Sequence, residues 1–214
     1  MAFKKIRKVL VGIILAGLLY FGGCASNKSW SKGHVLYNNR DRHIMYKLEG
    51  NTQFTEKGPN LWGFIETRAT KNHSGDTENF FVKARADQKI INGLNISAEH
   101  TAGNYFVDYT KAGIIYKKKF GKKGPFIMAK AYPVRTDRKD DTTLGVLISQ
   151  QIIPDKLSAT AWLDRDIRGE TYVGEASLDY KLLNNLNITT GARSAGSIHK
   201  EVKLNPYLGI KYNF

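Results

Sequence analysis

A serine nucleophile with a histidine base is the first catalytic pair to look for in this 214-residue chain. The five histidines are scattered along the sequence, at His34, His43, His73, His100 and His199. In the run Ser97-Ala98-Glu99-His100, a strand would place Ser97 and Glu99 on one face and His100 on the other. A serine nucleophile needs a base within hydrogen-bonding reach. We therefore expect no enzyme activity.

Metal and cofactor sites are not indicated by the spacing of ligating residues. Cys24 is the one cysteine, so the chain forms no internal disulfide, and no Cys/His cluster has the spacing of a zinc site. The sequence contains neither a glycine-rich phosphate loop nor paired catalytic carboxylates. We expect neither a metal nor a cofactor.

Residues 1–24 have the three-part pattern of a secretory signal peptide. Its parts are a basic head with Lys4, Lys5, Arg7 and Lys8, an uncharged core from Val9 to Phe21, and small residues before Cys24. The core is too short for a comfortable transmembrane helix. We therefore expect an exported bacterial protein with a signal peptide at 1–24, a periplasmic segment at 25–32 and a single domain at 33–214.

The end of the signal peptide leaves two processing routes open. Phe21-Gly22-Gly23-Cys24 resembles the lipobox of bacterial lipoproteins, in which a small residue precedes a lipidated cysteine, although Phe21 stands where Leu is commonest. The alternative is ordinary cleavage near Ala25, with Gly23 and Ala25 as the pair of small residues. Cys24 is therefore a lipidation candidate.

The chain is basic, with 33 Lys+Arg against 19 Asp+Glu and a formal net charge of +14. Loss of the signal peptide lowers this charge to +10, because four basic residues and no acidic residue leave with it. A basic chain often binds nucleic acid. Export and the absence of a recognised binding motif argue against that partner, so we expect no nucleic acid.

Turn signals recur at intervals of about thirty residues, which is the length of two strands and two connections. The short turns are Asn92-Gly93, Gly121 to Gly124, Pro154-Asp155 and Asn184-Asn185. Longer polar stretches alternate with them, at 71–77, 102–104, 135–142, 164–170 and 194–200. Short turns at one end and longer loops at the other are typical of outer-membrane β-barrels.

The segments between the turns alternate with a period of two, as half-buried strands do. In residues 80–87, the face with Phe80 and Val82 is apolar, and the face with Lys83 and Arg85 is charged. The apolar parity switches near 110–112, which predicts a β-bulge. The expected strands lie near 34–39, 43–54, 60–70, 78–90, 94–102, 105–119, 125–134, 142–152, 157–164, 171–181, 186–194 and 200–214. We predict an all-β antiparallel transmembrane barrel of about twelve strands, with ten as the alternative, because single-chain bacterial barrels have an even number of strands.

The last residues of the chain carry the most specific signal. Leu208, Ile210, Tyr212 and Phe214 lie on one face, and the chain ends on the aromatic. This pattern resembles the carboxy-terminal signature that the barrel assembly machinery reads in outer-membrane proteins. The resemblance implies a location in the bacterial outer membrane, with outer-membrane lipid, lipopolysaccharide and the assembly machinery as partners. The alternative is a soluble β-domain that ends in an apolar strand.

Residues 60–66 carry a second, shorter resemblance. Asn60-Leu61-Trp62-Gly63-Phe64-Ile65-Glu66 resembles the early aromatic-Gly-aromatic-x-acid strand of the nucleoside-specific channel (Tsx-like) family. That family has Asp more often than Glu at the acidic position. The resemblance implies a twelve-stranded barrel and passage of small solutes, with no specific binding residues carried over.

If the apolar faces meet lipid, the opposite faces line the lumen. The lumen-lining candidates are Glu66, Arg68, Lys83, Arg85, Asp87, Glu99, Lys130, Asp164, Glu175, Asp179, Lys181, Arg193, Lys203 and Lys211. Their charges nearly balance, so we expect a channel for passive diffusion of small polar solutes, with nucleosides among them, rather than a strongly anion-selective pore. The alternatives are a non-conducting structural or lipid-anchored barrel, plugged by its own charges, and a periplasmic β-barrel lipoprotein that binds a small ligand.

Overall fold

The chain forms a closed barrel of twelve antiparallel strands in a computed structural model, which describes residues 28–38, 43–53, 58–69, 79–104, 108–121, 123–138 and 140–214. The strands are β1 (Lys28–Asn38), β2 (His43–Gln53), β3 (Asn60–Ala69), β4 (Asn79–Ile91), β5 (Leu94–Gly103), β6 (Tyr109–Lys119), β7 (Phe126–Arg135), β8 (Thr143–Ile153), β9 (Leu157–Asp166), β10 (Thr171–Lys181), β11 (Leu186–Ser197) and β12 (Asn205–Asn213). Each strand pairs with the next, and β12 closes the ring against β1. The predicted fold class and strand number are confirmed. Within the described ranges, no helix is long and apolar enough to cross a membrane.

The outside of the barrel is an apolar belt. Exposed outward side chains occur on many of the strands: Val35, Ile44, Leu48, Ile96, Ile114, Leu144, Ile148, Leu163, Leu178, Ile188, Leu208 and Ile210. Tyr37, Tyr46, Tyr116, Tyr180 and Tyr212 are exposed as well. Closure pairs every strand edge, and the apolar exterior matches hydrocarbon, so the barrel is built for the bacterial outer membrane. The signal peptide and Cys24 lie outside the described residues and stay predictions.

The two ends of the barrel differ as the turn pattern predicts. The start of β1 and the end of β12 lie together at the end that carries the short turns, where Lys32 pairs with Asn213. In one of these turns Gly93 has a φ of 81°, and a Cβ there would lie 2.8 Å from the carbonyl oxygen of Lys117. The segments 136–142 and 198–204 join strands at the opposite end. The expected polar stretch at 71–77, with His73, lies outside the described residues.

A bulge lies close to the predicted position, between β6 and β7, but its extra residue belongs to β7. β6 therefore keeps one parity, with Lys111 and Lys117 both lining the lumen, and the predicted switch near 110–112 does not occur. Ala112 pairs with Val134 and Ile114 with Ala131, so Gly113 stands opposite two residues. One of these two is Pro133, which has no N–H to donate to a ladder and is tolerated at a bulge. A Cβ on Gly113 would lie 2.0 Å from the carbonyl oxygen of Ala131, so the close approach requires glycine.

The first and last strands differ from the predicted boundaries. β1 begins at Lys28, so residues 28–32, expected as a periplasmic segment, pair with 49–53 of β2. β12 begins at Asn205 rather than at residue 200. The prediction that Lys203 lines the lumen is therefore wrong. Lys203 is exposed in the loop before β12, because β12 pairs with β11 only from Asn205, which lies opposite Arg193.

The carboxy-terminal aromatic contributes little to the folded barrel. The ring of Phe214 is 74% exposed, its backbone N–H donates to the Ser31 carbonyl oxygen, and its ring lies edge-on to Tyr212. We expect deletion of Phe214 to reduce barrel assembly in cells severalfold. We expect the free energy of unfolding of the purified, detergent-refolded deletion variant to lie within about 0.5 kcal/mol of the wild-type value, as for changes at other exposed positions. Outer-membrane yield and urea unfolding test this prediction, and an equal loss in both would contradict an assembly role.

Candidate functional site

The lumen is a cavity of about 980 Å³. Its lining extends along the barrel from one end to the other. Lys32, Lys117 and Lys211 lie towards the end with the short turns, and Thr171 and Ala195 lie towards the opposite end. Charged and aromatic side chains from alternate positions of the strands fill its walls.

The structure places most of the predicted lumen residues inside the barrel. Those that line the cavity are Glu66, Lys83, Arg85, Glu99, Lys130, Asp164, Glu175, Asp179, Arg193 and Lys211. Asp87 is buried behind this lining, where Arg85, Lys117 and the Ser97 hydroxyl donate to its carboxylate. Lys181 is exposed at the end of β10. The side chain of Arg68 lies outside the described residues.

Glu99 is the centre of one charged cluster. Its side chain is fully buried, and the ammonium groups of Lys83, Lys111 and Lys130 lie 3.3, 3.9 and 3.9 Å from its carboxylate. Lys130 also bonds Asp164, with 2.7 Å between Nζ and Oδ2. We call these five residues the lysine cluster. It gathers three cations around two anions and extends from Lys83 on β4 to Asp164 on β9.

Arg193 is the centre of a second cluster. Its guanidinium donates to Glu66 at 3.0 Å and to Glu175 at 2.9 Å. The Tyr207 hydroxyl also donates to Glu175, at 2.6 Å. Arg193 Nη1 lies 3.7 Å from the sulfur of Met45, which packs with Leu36 and Tyr207 in a small buried apolar group. We call Arg193, Glu66, Glu175 and Tyr207 the arginine cluster, in which two anions share one cation.

Glycines facing the lumen let side chains from strands two apart meet. Gly145 on β8 stands between Lys130 and Asp164, and a Cβ there would lie 2.3 Å from Asp164 Oδ1 and 2.4 Å from Lys130 Cε. Gly191 on β11 does the same for Tyr207 and Glu175, since its Cβ would lie 2.7 Å from the Tyr207 hydroxyl.

Replacing Gly145 by alanine is therefore expected to force Lys130 and Asp164 apart. The collision with the end of a short aspartate side chain should destabilise the barrel by about 1–3 kcal/mol, the usual range for overpacking. Gly196→Ala is the matched control, because its nearest neighbour would be 3.7 Å away. Urea unfolding of both variants tests this, and equal stability would show that the lysine cluster tolerates the added methyl group.

The charges of the lumen are unevenly distributed around the ring. On β4 to β7, the cavity lining includes Lys83, Arg85, Lys111, Lys117 and Lys130, with Glu99. On β9 and β10, the charged lining residues are Asp164, Asp166, Glu175 and Asp179. The total charge is nearly balanced, but β4 to β7 form a mainly basic wall and β9 and β10 form an acidic one. This separation of charge creates an electric field across the lumen.

Two neighbouring aromatic rings on β3 lie between two cations at the lumen wall. Lys47 lies over the Phe64 ring at 4.5 Å, Phe64 packs edge-on against Trp62 at 5.4 Å, and Arg85 lies over Trp62 at 4.8 Å. The Trp62 indole N–H donates to Glu49 at 3.0 Å. The aromatic and acidic residues that resemble the nucleoside-specific channel strand, Trp62, Phe64 and Glu66, therefore line the lumen, and Glu66 belongs to the arginine cluster.

Sequence reasoning missed several lumen residues for identifiable reasons. Lys111 and Lys117 were missed because the sequence near 110–112 suggested a change of face that β6 does not make. Lys47 and Glu49 alternate with the exposed Ile44, Tyr46 and Leu48, so the period-two pattern of β2 was sufficient to find them. Asp166 was missed because β9 was expected to end at 164.

Arg135 organises the end of β7 away from the short turns. It bonds Asp137 at 2.8 Å and Asp166 at 2.6 Å, and the Thr143 hydroxyl donates to Asp166. Burial alone would raise the pKa of Asp137, but the hydrogen bond and charge of Arg135 outweigh it and hold that pKa below its usual value. Asp141 accepts the backbone N–H groups of Arg168 and Gly169, so the loops beside this end are tied together.

The serine and histidine residues considered for catalysis are not brought together. Ser97 faces the lumen, where its hydroxyl contacts Asp87 and Tyr132, whereas His100 Nδ1 contacts Thr110. His199 pairs with Glu170 in exposed loops. Among the residues that the structure describes, no group of three or more His, Cys, Asp or Glu side chains is placed to hold a metal ion.

Comparison with known proteins defines the class of fold. The KdgM porin aligns with a TM-score of 0.58 and 11% identity over 87% of this chain and 99% of that one. A KdgM porin structure in complex with disordered oligogalacturonate aligns with a TM-score of 0.56 and 10% identity, again over 87% of this chain and 99% of that one. An outer-membrane channel from Pseudomonas putida F1 aligns with a TM-score of 0.47 and 12% identity over 86% of this chain and 94% of that one.

The chain thus shares the β-barrel fold of the KdgM porin. No protein-family model matches the sequence, and no curated protein matches it. At these low identities the likeness concerns the fold, so the argument for function has to come from the lumen of this chain.

Proposed function

We propose that the protein is a porin-like channel for passive diffusion of small polar solutes across the outer membrane. The observation that carries this proposal is the cavity of about 980 Å³ inside the barrel, with its charged and aromatic walls. Polar interiors of this kind suit hydrated solutes.

A non-conducting barrel is the second candidate, and one observation favours it. Lys83 reaches Asp164 across the lumen, and Arg193 reaches Glu66. Ion pairs that join facing walls narrow the passage and resist separation when they are buried. In this reading the lumen is a charged plug, and the protein anchors or stiffens the membrane.

The class of solute follows from the charges of the lumen. A polyanion, such as the oligogalacturonate in one porin complex, would meet the acidic residues of β9 and β10 as well as the cations. Nucleosides remain a candidate class, because Trp62 and Phe64 offer rings for stacking beside polar partners. We therefore expect small solutes without a large net charge.

Swelling of proteoliposomes in neutral polar solutes of increasing size tests the proposal. Wild-type barrels should admit small solutes and exclude large ones, and swelling no faster than that of protein-free liposomes would favour the plugged barrel. Ser177→Trp fills the lumen and should slow swelling severalfold. Ala176→Trp on the same strand points outward and is the matched control, with swelling unchanged.

A further inference from the structure

Two ion pairs cross the lumen in opposite directions. Lys83 on β4 reaches Asp164 on β9 with 3.9 Å between Nζ and Oδ2. These strands are separated around the ring by β5, β6, β7 and β8. Arg193 on β11 reaches Glu66 on β3 at 3.0 Å, past β12, β1 and β2. The wall at β3 and β4 therefore presents an anion and a cation, and so does the wall at β9 to β11.

Asp164, Arg193 and Lys83 each have a further partner in their own neighbourhood or cluster. Asp164 forms an ion pair with Lys130 at 2.7 Å, Arg193 with Glu175 at 2.9 Å, and Lys83 with Glu99 at 3.3 Å. Opening a cross-lumen contact therefore leaves these side chains held near their positions. The opened pairs expose charges that face each other across the space a solute would occupy.

The cost of opening a pair depends on what replaces the lost partner. Glu66 is 1% exposed and Asp164 is 4% exposed, so an uncompensated charge at either position is strongly unfavourable. A neutral solute replaces neither partner, and a solute with one charge replaces one of them. A zwitterion can place its carboxylate against Lys83 and its ammonium group against Asp164. It can pair in the same way with Arg193 and Glu66, so both charges of an opened ion pair are compensated.

We propose that these facing walls form a binding site for zwitterionic solutes with the dimensions of an amino acid or a short peptide. The inference rests on the proposed function, because solutes must enter the lumen. It narrows the solute class from small polar molecules in general to molecules that carry an ammonium and a carboxylate group together.

Four molecules of nearly equal size separate the alternatives: alanine as the zwitterion, lactate as the anion, alaninamide as the cation and lactamide as the neutral molecule. Uptake into proteoliposomes is measured at low concentration, where flux follows partitioning, and the rates for protein-free liposomes are subtracted. We expect alanine to enter about tenfold faster than each of the other three, as one additional hydrogen-bonded charge predicts.

Two double variants locate the site. Lys83→Gln with Asp164→Asn, and Glu66→Gln with Arg193→Gln, each remove one cross-lumen pair, and both together should bring the four rates within about twofold of each other. Arg168→Gln in the exposed loop is the control and should keep the preference. Heat-modifiable migration in SDS gels verifies folding, and if one double variant does not fold, the other and the wild-type comparison decide.

The outcomes distinguish this inference from the proposed function. Equal entry of all four molecules through the wild-type barrel would overturn the zwitterion site and leave the channel in place. Entry of none would overturn the channel and the site with it. A preference for alanine that survives the removal of both pairs would show that the selectivity lies elsewhere in the lumen.

Discussion

Replacing Arg193 by methionine is expected to destabilise the barrel by about 3 kcal/mol, which is typical of breaking a buried ion pair on one side. The reason is that Glu66 and Glu175 would both lose the guanidinium that they share. Methionine retains an unbranched apolar stem against Met45, so the loss is mainly electrostatic. The two uncompensated carboxylates should also shift ion selectivity towards cations.

Urea unfolding in detergent and the reversal potential in a KCl gradient measure these two effects. Arg168→Met is the control, because Arg168 pairs with Asp140 at 3.5 Å while their side chains are 70% and 81% exposed. It should change neither the unfolding midpoint nor the reversal potential. An Arg193→Met barrel with wild-type stability and selectivity would show that the arginine cluster does not hold the walls together.

Replacing Glu99 by glutamine is expected to shift selectivity in the opposite direction. The substitution keeps the shape of the side chain and removes the charge around which Lys83, Lys111 and Lys130 gather. The remaining anion of that cluster, Asp164, cannot balance three ammonium groups. We expect a loss of about 3 kcal/mol in stability, again because a buried charge pair is broken, and an anion-selective pore.

Glu170→Gln is the matched control, since Glu170 lies in an exposed loop and pairs with His199. The same unfolding and reversal-potential measurements apply. Opposite signs of selectivity change in the Arg193 and Glu99 variants would establish that both clusters face the conducting path. A shift of the same sign in both variants, or none in either, would contradict the placement of these clusters on the path.

The sequence predicted the barrel because its signals are local and repeated. Period-two alternation, evenly spaced turns and the terminal aromatic each indicate the same architecture, and the agreement of many weak signals identified twelve strands. Boundaries were less accurate where loops are themselves apolar. Val202 and Leu204 continue the alternation of β12 and yet are exposed before the strand begins. Sequence alone therefore started the strand at residue 200 and included Lys203.

The partners within the lumen were beyond sequence reasoning. Strand parity predicts that Arg193 and Glu66 both face inward, but their contact joins residues 127 positions apart. It depends on ring closure and on the glycine gap at Gly191, which lets Tyr207 hold Glu175. The balance of charges was visible in the sequence, whereas their separation into basic and acidic walls required the order of the strands around the ring.

Single-channel recording of the purified, refolded barrel in a planar bilayer is the most direct test of the central claim. We predict steady, ohmic openings in KCl, because the lumen holds a cavity of about 980 Å³ despite its cross-lumen ion pairs. Nucleosides and amino acids added to the same bilayer identify the solute class through block of the current. A barrel that folds and inserts but never conducts would contradict the channel, and the lysine and arginine clusters would then act as a plug.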